Sequence, residues 1–389
     1  MTEAAVSIDR VRLARAYLSR VAEPPAPALA AFVDEVGPVE AAERVRAGTV
    51  PAAVEGQTSA RRAEDRAEHD LRRIAELGGR LVIPEDEEWP EWPFNALALA
   101  AANGLKCGLA PLALWVRGKA NVAELAERAV AVVGSRDASG YGQHIATEFG
   151  HGLAEAGIVV VSGAAYGIDG CAHRGALAAG GATVAVLACG VDVPYPAGHA
   201  NLIARIPERG LVVSEYPPAQ TPARHRFLTR NRLIAALGDG TVVVEAGRRS
   251  GAKNTAASTT ALGRVLMAVP GPVTSASSTG CHELLRSGEA IAVSSVAEVV
   301  ESTGRIGADL VEANRRSSTA LGPPQGDAVR VHEALGLTTG HSAEVIAVES
   351  GVALSTVRAL LPEFEMAGLA ERVETGWKRS HVIAGCGDA

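Results

Sequence analysis

The sequence AVAVVGSRDASGYG, residues 129–142, decides the fold of this chain. Its run of small and β-branched residues at 130–133 predicts a strand buried on both faces, which is typical of a parallel sheet covered by helices. Residues 142–156 predict the helix that follows. Gly134, Ser135 and Arg136 therefore lie just past the carboxyl end of a strand, where open α/β sheets bind ligands.

Two of these three residues suit an anionic ligand. Gly134 lets the backbone approach a ligand without a Cβ in the way. Arg136 can hold a phosphate through two parallel hydrogen bonds. On this stretch alone, an ordinary strand–helix turn with an exposed arginine is the alternative interpretation.

Similar strand–helix units follow along the chain. Further apolar runs predict strands at 158–161, 183–187, 211–214, 241–244 and 265–269. Helices are predicted between them at 168–179, 227–237 and 255–263. This alternation predicts an α/β protein with a parallel sheet and right-handed crossovers.

The chain divides into four predicted segments. Residues 1–65 are Ala- and Arg-rich and predict a small helical module of the SAM-like or helix-hairpin type, for which we favour a packing or protein-contact role over contact with DNA backbones. Residues 66–303 form the main domain, whose first pieces we expect to add an edge to the sheet. Residues 304–326 are polar and Pro-bearing, which predicts a linker. Residues 327–389 predict two helices and a β-hairpin, the pattern of a winged helix, with Ser355 as the N-cap of the second helix.

Composition excludes several classes of protein. The chain has 389 residues, 47% of them hydrophobic, and a net charge of −7, so nucleic-acid binding would need a local basic patch. Its five cysteines form no CxxC pair or tight cluster, which argues against a zinc site and a disulfide framework and fits a reducing cytosol. The sequence shows no signal peptide and no membrane-length apolar run. We therefore predict a cytoplasmic protein without metal or membrane contact.

Several catalytic motifs are absent from the sequence. It has no GxGxxG after a strand, no GxxxxGK[ST] and no GxSxG, which argues against dinucleotide, P-loop and serine-hydrolase sites. His144 and His151 are too far apart on one helix for an HExxH metal site. We predict neither a catalytic residue nor a cofactor.

Four strand-end segments carry groups suited to phosphates and bases. The first is Gly134-Ser135-Arg136, and the second is Ser162-Gly163, with backbone N–H groups at a helix start. The third, RHRFLTRNR at 224–232, places four arginines around Phe227. The fourth is Ser250-Gly251-Ala252-Lys253 with Arg248 and Arg249 before it. Arginines neutralise phosphates and an aromatic face stacks a base, so we interpret the third segment as a binding loop rather than a solvated helix start.

Three further polar residues lie near these segments. Asp169 and His173 are four residues apart at a helix start, and we expect them to cap and brace the loop rather than to perform acid–base chemistry. Glu245 ends a buried strand, where it could bind Asn231, Arg232 or a ribose.

The motifs taken together resemble the DNA processing protein A family, also called Smf. The matches run in order through the main domain: VGSR at 133–136, SGxAxGID at 162–169, AHRGAL at 172–177, AVLACGVDVPYP at 185–196, SEYP at 214–217, RFLTRNRLIAAL at 226–237, VVVEA at 242–246 and VPG at 269–271. The helical amino-terminal module and the carboxyl-terminal segment also look like the family's usual flanks.

The resemblance implies an extended Rossmann-like fold that binds single-stranded DNA, forms a homodimer and hands the DNA to a RecA-type recombinase in natural transformation or recombination, without catalysis. Arg136 would hold a phosphate, and Phe227, Arg230 and Arg232 would line the DNA groove. The full set of predicted DNA-binding residues is Gly134, Ser135, Arg136, Ser162, Gly163, Arg226, Phe227, Arg230, Asn231, Arg232, Ser250, Gly251 and Lys253.

The sequence departs from the family pattern at two places. Tyr166 stands where the family commonly has an arginine, so stacking could replace a cationic contact. The stretch AKNTAASTT at 252–260, which contains Lys253, differs from the family's usual sequence after Ser-Gly.

Two other functions compete with single-stranded DNA binding. A phosphoribohydrolase of a related Rossmann-like family would carry PGGxGTxxE, whereas here VPG continues as PVTSASSTG. A duplex-DNA regulator would use the second helix of the winged helix in the major groove. Glu363 and Glu365 on that helix would repel phosphates, so we favour a protein-contact or dimer role for that domain.

Overall fold

The computed structural model describes residues 3–102, 105, 108–248, 250–304, 326–366, 368–373 and 375–380. The described residues fall into two compact units, one on each side of residues 305–325. Outside the described residues lie most of the predicted linker, the end of the second strand of the predicted β-hairpin, and Cys107, Arg249 and Cys386. The three boundaries between the four predicted segments stay predictions.

A single nine-stranded sheet forms the centre of the first unit. Its strands are β1 Gly79–Val82, β2 Leu114–Arg117, β3 Ala129–Val133, β4 Val159–Ser162, β5 Thr183–Val186, β6 Leu211–Ser214, β7 Gly240–Val243, β8 Val265–Ala268 and β9 Ile291–Ala292. Their spatial order is β1-β2-β6-β5-β4-β3-β7-β8-β9. The seven strands from β6 to β9 are parallel, which confirms the predicted α/β class.

The first two strands form the predicted edge of the sheet. β2 pairs antiparallel with β6, and β1 pairs antiparallel with β2. The sequence predicted the edge but not this reversal of direction, because the apolar pattern of a short strand is the same in either direction.

Helices cover both faces of the sheet. In the first unit they are α1 Glu3–Val21, α2 Pro27–Val36, α3 Pro38–Ala47, α4 Ala52–Thr58, α5 Ala67–Glu76, α6 Glu91–Ala102, α7 Val122–Ala126, α8 Gly140–Glu155, α9 Ile168–Ala178, α10 Ala200–Arg205, α11 Arg224–Leu237, α12 Ala252–Ala261, α13 Thr279–Arg286 and α14 Val296–Thr303.

The central strand β3 shows why the chain folds in this way. All five of its residues are buried. Val130 and Val132 pack with Phe149 of α8 on one face, whereas Ala131 and Val133 pack in the cluster that holds α11 on the other. An apolar residue at every position is what burial on both faces requires.

One predicted boundary was wrong in a way that concerns the site. The prediction began a helix at residue 227 and treated the preceding arginines as a loop, whereas α11 already begins at Arg224. The basic run is therefore the first half of a helix, which crosses the carboxyl-end edge of the sheet.

The second unit contains three helices and one β-hairpin. Its elements are α15 Asp327–Glu333, α16 Ala343–Ser350, α17 Leu354–Met366, β10 Ala370–Val373 and β11 Gly376–Arg379. Ser355 is not the N-cap of α17, because that helix begins one residue earlier at Leu354. The unit has its own apolar core around Val331, Ile346 and Phe364. Its assignment as a winged helix stays a prediction.

Within the described ranges, none of the helices alone has the length and apolar composition needed to cross a membrane; only the bent pair α16 and α17 meets that test together, across a bend of 111°.

Candidate nucleic-acid interface

The loops that follow β3 and β4 pack directly against each other. The backbone N–H of Ile168 donates to the carbonyl of Ser135 at 3.1 Å. Gly167 has a φ of +72°, and a Cβ there would lie 2.2 Å from the same carbonyl oxygen. Glycine is thus required at residue 167 for these two strand-end loops to meet.

Phe227 forms the centre of a cationic and aromatic cluster at this edge. The guanidinium carbon of Arg136 lies 5.0 Å from the centroid of the Phe227 ring, and that of Arg230 lies 6.0 Å from it. The Tyr195 ring is 5.5 Å away. Arg136 is exposed and Phe227 half-buried. The structure therefore brings Arg136 together with Phe227 and Arg230, although Arg136 and Arg230 are 94 residues apart in the chain. We call these three residues and Tyr195 the Phe227 cluster.

Arg230 connects this cluster to the loops that follow β4 and β5. It is buried and donates to the carbonyls of Gly163, at 2.9 Å, and Val186. Burial lowers its pKa to about 10, although the nearby Asp169 opposes this effect. A Cβ on Gly163 would lie 2.3 Å from the guanidinium, so only glycine leaves room for Arg230 at this point.

Asp169 holds the loop after β4. Its Oδ2 accepts from the backbone N–H groups of Gly163, at 3.1 Å, and Ala165, at 3.4 Å. Burial raises its pKa. His173 is bonded through Nδ1 to Thr183 Oγ1 at 2.7 Å, and burial lowers its pKa to about 3. The Asp169 contacts agree with the bracing role that the sequence suggested, whereas the His173 contact ties α9 to β5 and not to the loop.

Ser162 and Gly163 do not present the groups expected of them. Ser162 is buried and its hydroxyl donates to the carbonyl of Val132 at 2.6 Å. The N–H of Gly163 is bonded to Asp169. These two residues shape the loop from inside, and their polar groups do not face the surface.

Two arginines of the basic run are also buried. Arg226 donates from Nε and Nη2 to Glu23 at 2.7 and 2.8 Å, and Arg232 donates to both oxygens of Glu215 at 2.5 and 2.6 Å. Only 1% of the Arg232 surface is exposed. The expectation that Arg232 lines a groove is therefore wrong for this structure, in which Arg226 and Arg232 fix α11 in place.

Glu245 binds neither Asn231 nor Arg232, contrary to expectation. Its carboxylate accepts from the backbone N–H and the hydroxyl of Ser139, at 2.9 and 2.6 Å. A Cβ on Gly142 would lie 2.2 Å from that carboxylate. Glu245 thus anchors the start of α8.

The fourth predicted segment joins the Phe227 cluster through Asn231. Its amide donates to Asn254 Oδ1 at 3.2 Å and reaches the Gly251 carbonyl at 3.5 Å, while its own Oδ1 accepts from Arg230. Ser250 Oγ accepts from the N–H of residue 252, the first residue of α12, at 3.2 Å. Lys253 forms an ion pair with Glu283.

Two exposed tyrosines lie at this edge: the sequence analysis raised Tyr166 as a residue that could stack, whereas it missed Tyr195. Tyr166 is 48% exposed, its ring packs edge-on against His199 at 4.9 Å, and its hydroxyl accepts from Gly198 N–H. Tyr195 is 41% exposed and belongs to the Phe227 cluster. Aromatics make up only 4% of the chain, so a tyrosine in a strand-end loop was the available signal.

The described part of the chain holds no group of three or more His, Cys, Asp or Glu side chains that could bind a metal ion. Among the described residues of the four predicted segments, the exposed cations include Arg136, Arg224 and Arg248. Fold and site together define a class of protein: a Rossmann-like α/β protein with a cationic and aromatic surface at the carboxyl ends of its strands.

Comparison with known proteins identifies the family. Residues 80–304 match the family model described as DNA recombination-mediator protein A. The chain belongs to this family, which confirms the resemblance that the sequence motifs indicated, and the phosphoribohydrolase alternative is not favoured.

Individual relatives support the same assignment. The DNA processing protein DprA of Mycobacterium tuberculosis is 51% identical to this chain over 378 residues, which are 97% of each chain. Protein Smf of Escherichia coli is 36% identical over 302 residues, 77% of each chain. The crystal structure of DprA from Streptococcus pneumoniae superposes with a TM-score of 0.59 at 28% identity, over 76% of this chain and 98% of that one.

Proposed function

We propose that the strand-end edge around the Phe227 cluster binds single-stranded DNA. The observation that carries this proposal is the position of the Arg136 and Arg230 guanidinium groups against one half-buried aromatic ring, that of Phe227. A phosphate on Arg136 would place the neighbouring base near Phe227. Stacking on an aromatic ring contributes about 1–3 kcal/mol per base and is available to every base, so this contact would not select a sequence.

The exposed tyrosines favour an unpaired strand as the ligand. Tyr166 and Tyr195 present ring surface at the same edge, and both are connected to the loop 195–199. An aromatic ring can reach the face of a base only when the base is not stacked inside a duplex. Tyr166 would thus contribute stacking where the family commonly has an arginine.

We further propose that the protein delivers the bound strand to a RecA-type recombinase, as a cytoplasmic homodimer without catalytic activity. Membership of a recombination-mediator family supports this role. Light scattering would test the dimer. A strand-exchange assay with a RecA-type recombinase and DNA coated with single-strand-binding protein would test delivery: the protein should shorten the lag before exchange, and an unchanged lag would contradict the proposal.

Binding itself is tested by fluorescence anisotropy with labelled oligo(dT) and, in parallel, a hairpin duplex of equal length. We expect tight, salt-sensitive binding of the single strand that weakens on R136A. The matched control is R209A, because Arg209 is an exposed arginine at the amino end of β6, the opposite edge of the sheet. Absence of oligo(dT) binding at low salt, or equal losses in both variants, would contradict the proposal.

A further inference from the structure

A carboxylate lies among the cations at the far end of the proposed DNA surface. Glu283 of α13 contacts the ammonium group of Lys253 through Oε2 and the Nε of Arg248 through Oε1, the latter at 3.5 Å. Arg248 is otherwise open to solvent, with 84% of its side chain exposed. One carboxylate is therefore shared by two cations that come from the loop after β7 and the first turn of α12.

These cations are connected to the Phe227 cluster through buried side chains. Arg230 touches that ring and donates to Asn231, and Asn231 donates to Asn254, the residue after Lys253. Gly251, between Arg248 and Lys253, is exposed. A strand bound at Phe227 and continuing along this edge would meet Lys253 and Arg248 next.

We propose that Glu283 acts as an internal counter-ion that competes with DNA phosphates for Lys253 and Arg248. This inference rests on the proposed function. The hydrogen bond from Lys253 lowers the pKa of Glu283, so the carboxylate stays charged at neutral pH. With Glu283 paired to them, the two cations neutralise phosphates only after that pair opens, so Glu283 weakens binding and keeps exchange of the strand fast.

The surroundings of Glu283 provide a matched control. An open groove of about 420 Å³ between α12 and α13 is lined by Lys253, Glu283 and also Glu289. Glu289 is exposed, and its carboxylate accepts from Ser287 at 2.9 Å. E283Q and E289Q thus remove the same charge from the same groove, but only the first frees the two cations.

The test measures oligo(dT) affinity of the full chain across a salt series. For single strands, the logarithm of the binding constant falls by about 0.7 per phosphate neutralised for each tenfold rise in salt. E283Q should steepen this slope by about 0.7 for each phosphate newly neutralised. The ratio of the affinity at about 0.1 M salt to that at about 1 M salt should then be roughly fivefold larger than in the unmodified protein. E289Q should leave the slope unchanged, and adding K253A to E283Q should remove part of the gain.

The outcomes separate the inference from the proposed function. If the unmodified protein does not bind oligo(dT), the proposed function fails. If it binds but E283Q shows the same affinity and slope, or if E289Q gives an equal gain, Glu283 is not a counter-ion for the DNA surface. Thermal unfolding of each variant shows whether it is folded, and K253A alone provides a second measure: it should weaken binding less than R136A does.

Discussion

At the scale of single residues, the three buried arginines of the run 224–232 have two different environments. Arg226 and Arg232 are each paired with a buried or half-buried carboxylate. Arg230 binds backbone carbonyls and touches the Phe227 ring. A bidentate ion pair fixes the orientation of a guanidinium group. These buried side chains therefore determine the position of α11 and contribute little to the charge of its surface.

Truncation of Phe227 should weaken DNA binding without unfolding the protein. Loss of one stacked base costs about 1–3 kcal/mol, so F227A should raise the Kd for oligo(dT) by roughly 5- to 150-fold, whereas F227W should restore most of the affinity. Leu228 provides the control, because it is the next residue on α11 and is 52% exposed. Titration of F227A, F227W and L228A decides this; an equal effect of L228A would argue against stacking on Phe227.

Removal of Arg232 should destabilise the protein strongly. R232A leaves Glu215 buried without its partner, and breaking a buried ion pair by removing one member costs about 3–5 kcal/mol. Replacing both residues with apolar side chains of similar size, as in R232M with E215L, should recover much of this loss. Urea unfolding measures the free energy of each variant. If R232A keeps its stability but loses much of its DNA affinity, Arg232 contacts DNA and the ion pair does not stabilise the fold.

At the scale of elements, Glu23 ties the amino-terminal helices to α11. It lies just after α1 and accepts from Arg61, His225 and Arg226. Burial would raise the pKa of Glu23, but hydrogen bonds from these basic side chains outweigh it and lower the pKa to about 2. A half-buried carboxylate with three basic partners thus fixes the start of the helix that carries Phe227.

The lowered pKa of Glu23 predicts a specific pH dependence of stability. The ionised form is favoured in the folded state, so its contribution is present above the unfolded pKa of 4.5 and is lost as the pH falls toward 2. E23Q should be less stable than the unmodified protein at pH 7, and the difference should shrink as the pH falls below 4.5. Urea titrations over this range measure it, and a constant difference would show that Glu23 does not contribute through its charge.

The same elements show how far the sequence predicts the fold. Strands such as β3, β4 and β7 were predicted from unbroken apolar runs, because burial on both faces leaves no polar position. Helix α14 was missed, although Ser295 at its N-cap and Glu298 three residues later form a recognisable helix-start pattern. The antiparallel direction of β2 has no sequence pattern at all, since it depends on which strand the chain pairs with.

The candidate site was less predictable than the fold. The proximity of Arg136 and Phe227 followed from the rule that parallel strands end at one edge. The burial of Arg226 did not, because its partner Glu23 is 203 residues away. An ionised side chain is buried only where a distant residue pairs with it, and no local pattern of the chain records that partner.

At the scale of the whole molecule, a net charge of −7 coexists with a locally basic edge. Binding should therefore involve few phosphates, and each of them should contribute about 0.7 to the logarithmic slope of the salt dependence. R136A should reduce the slope of the salt dependence by about that amount, whereas F227A should lower affinity equally at all salt concentrations. Oligo(dT) titrations between about 50 and 200 mM salt measure both slopes; identical slopes for R136A and the unmodified protein would exclude a phosphate contact at Arg136.

The two compact units should separate in function. The apolar core of the second unit shares no residue with the clusters of the first, and every residue proposed to contact DNA lies before residue 305. A chain ending at residue 304 should therefore fold and bind a short oligo(dT) with unchanged affinity. If the second unit serves protein contact, as the acidic Glu363 and Glu365 favour, this shorter chain should lose self-association in light scattering. The oligonucleotide must be too short to bind both protomers of a dimer at once, because binding to two linked sites would by itself raise the affinity. If the shorter chain still binds this oligonucleotide more weakly, part of the DNA surface lies in the second unit.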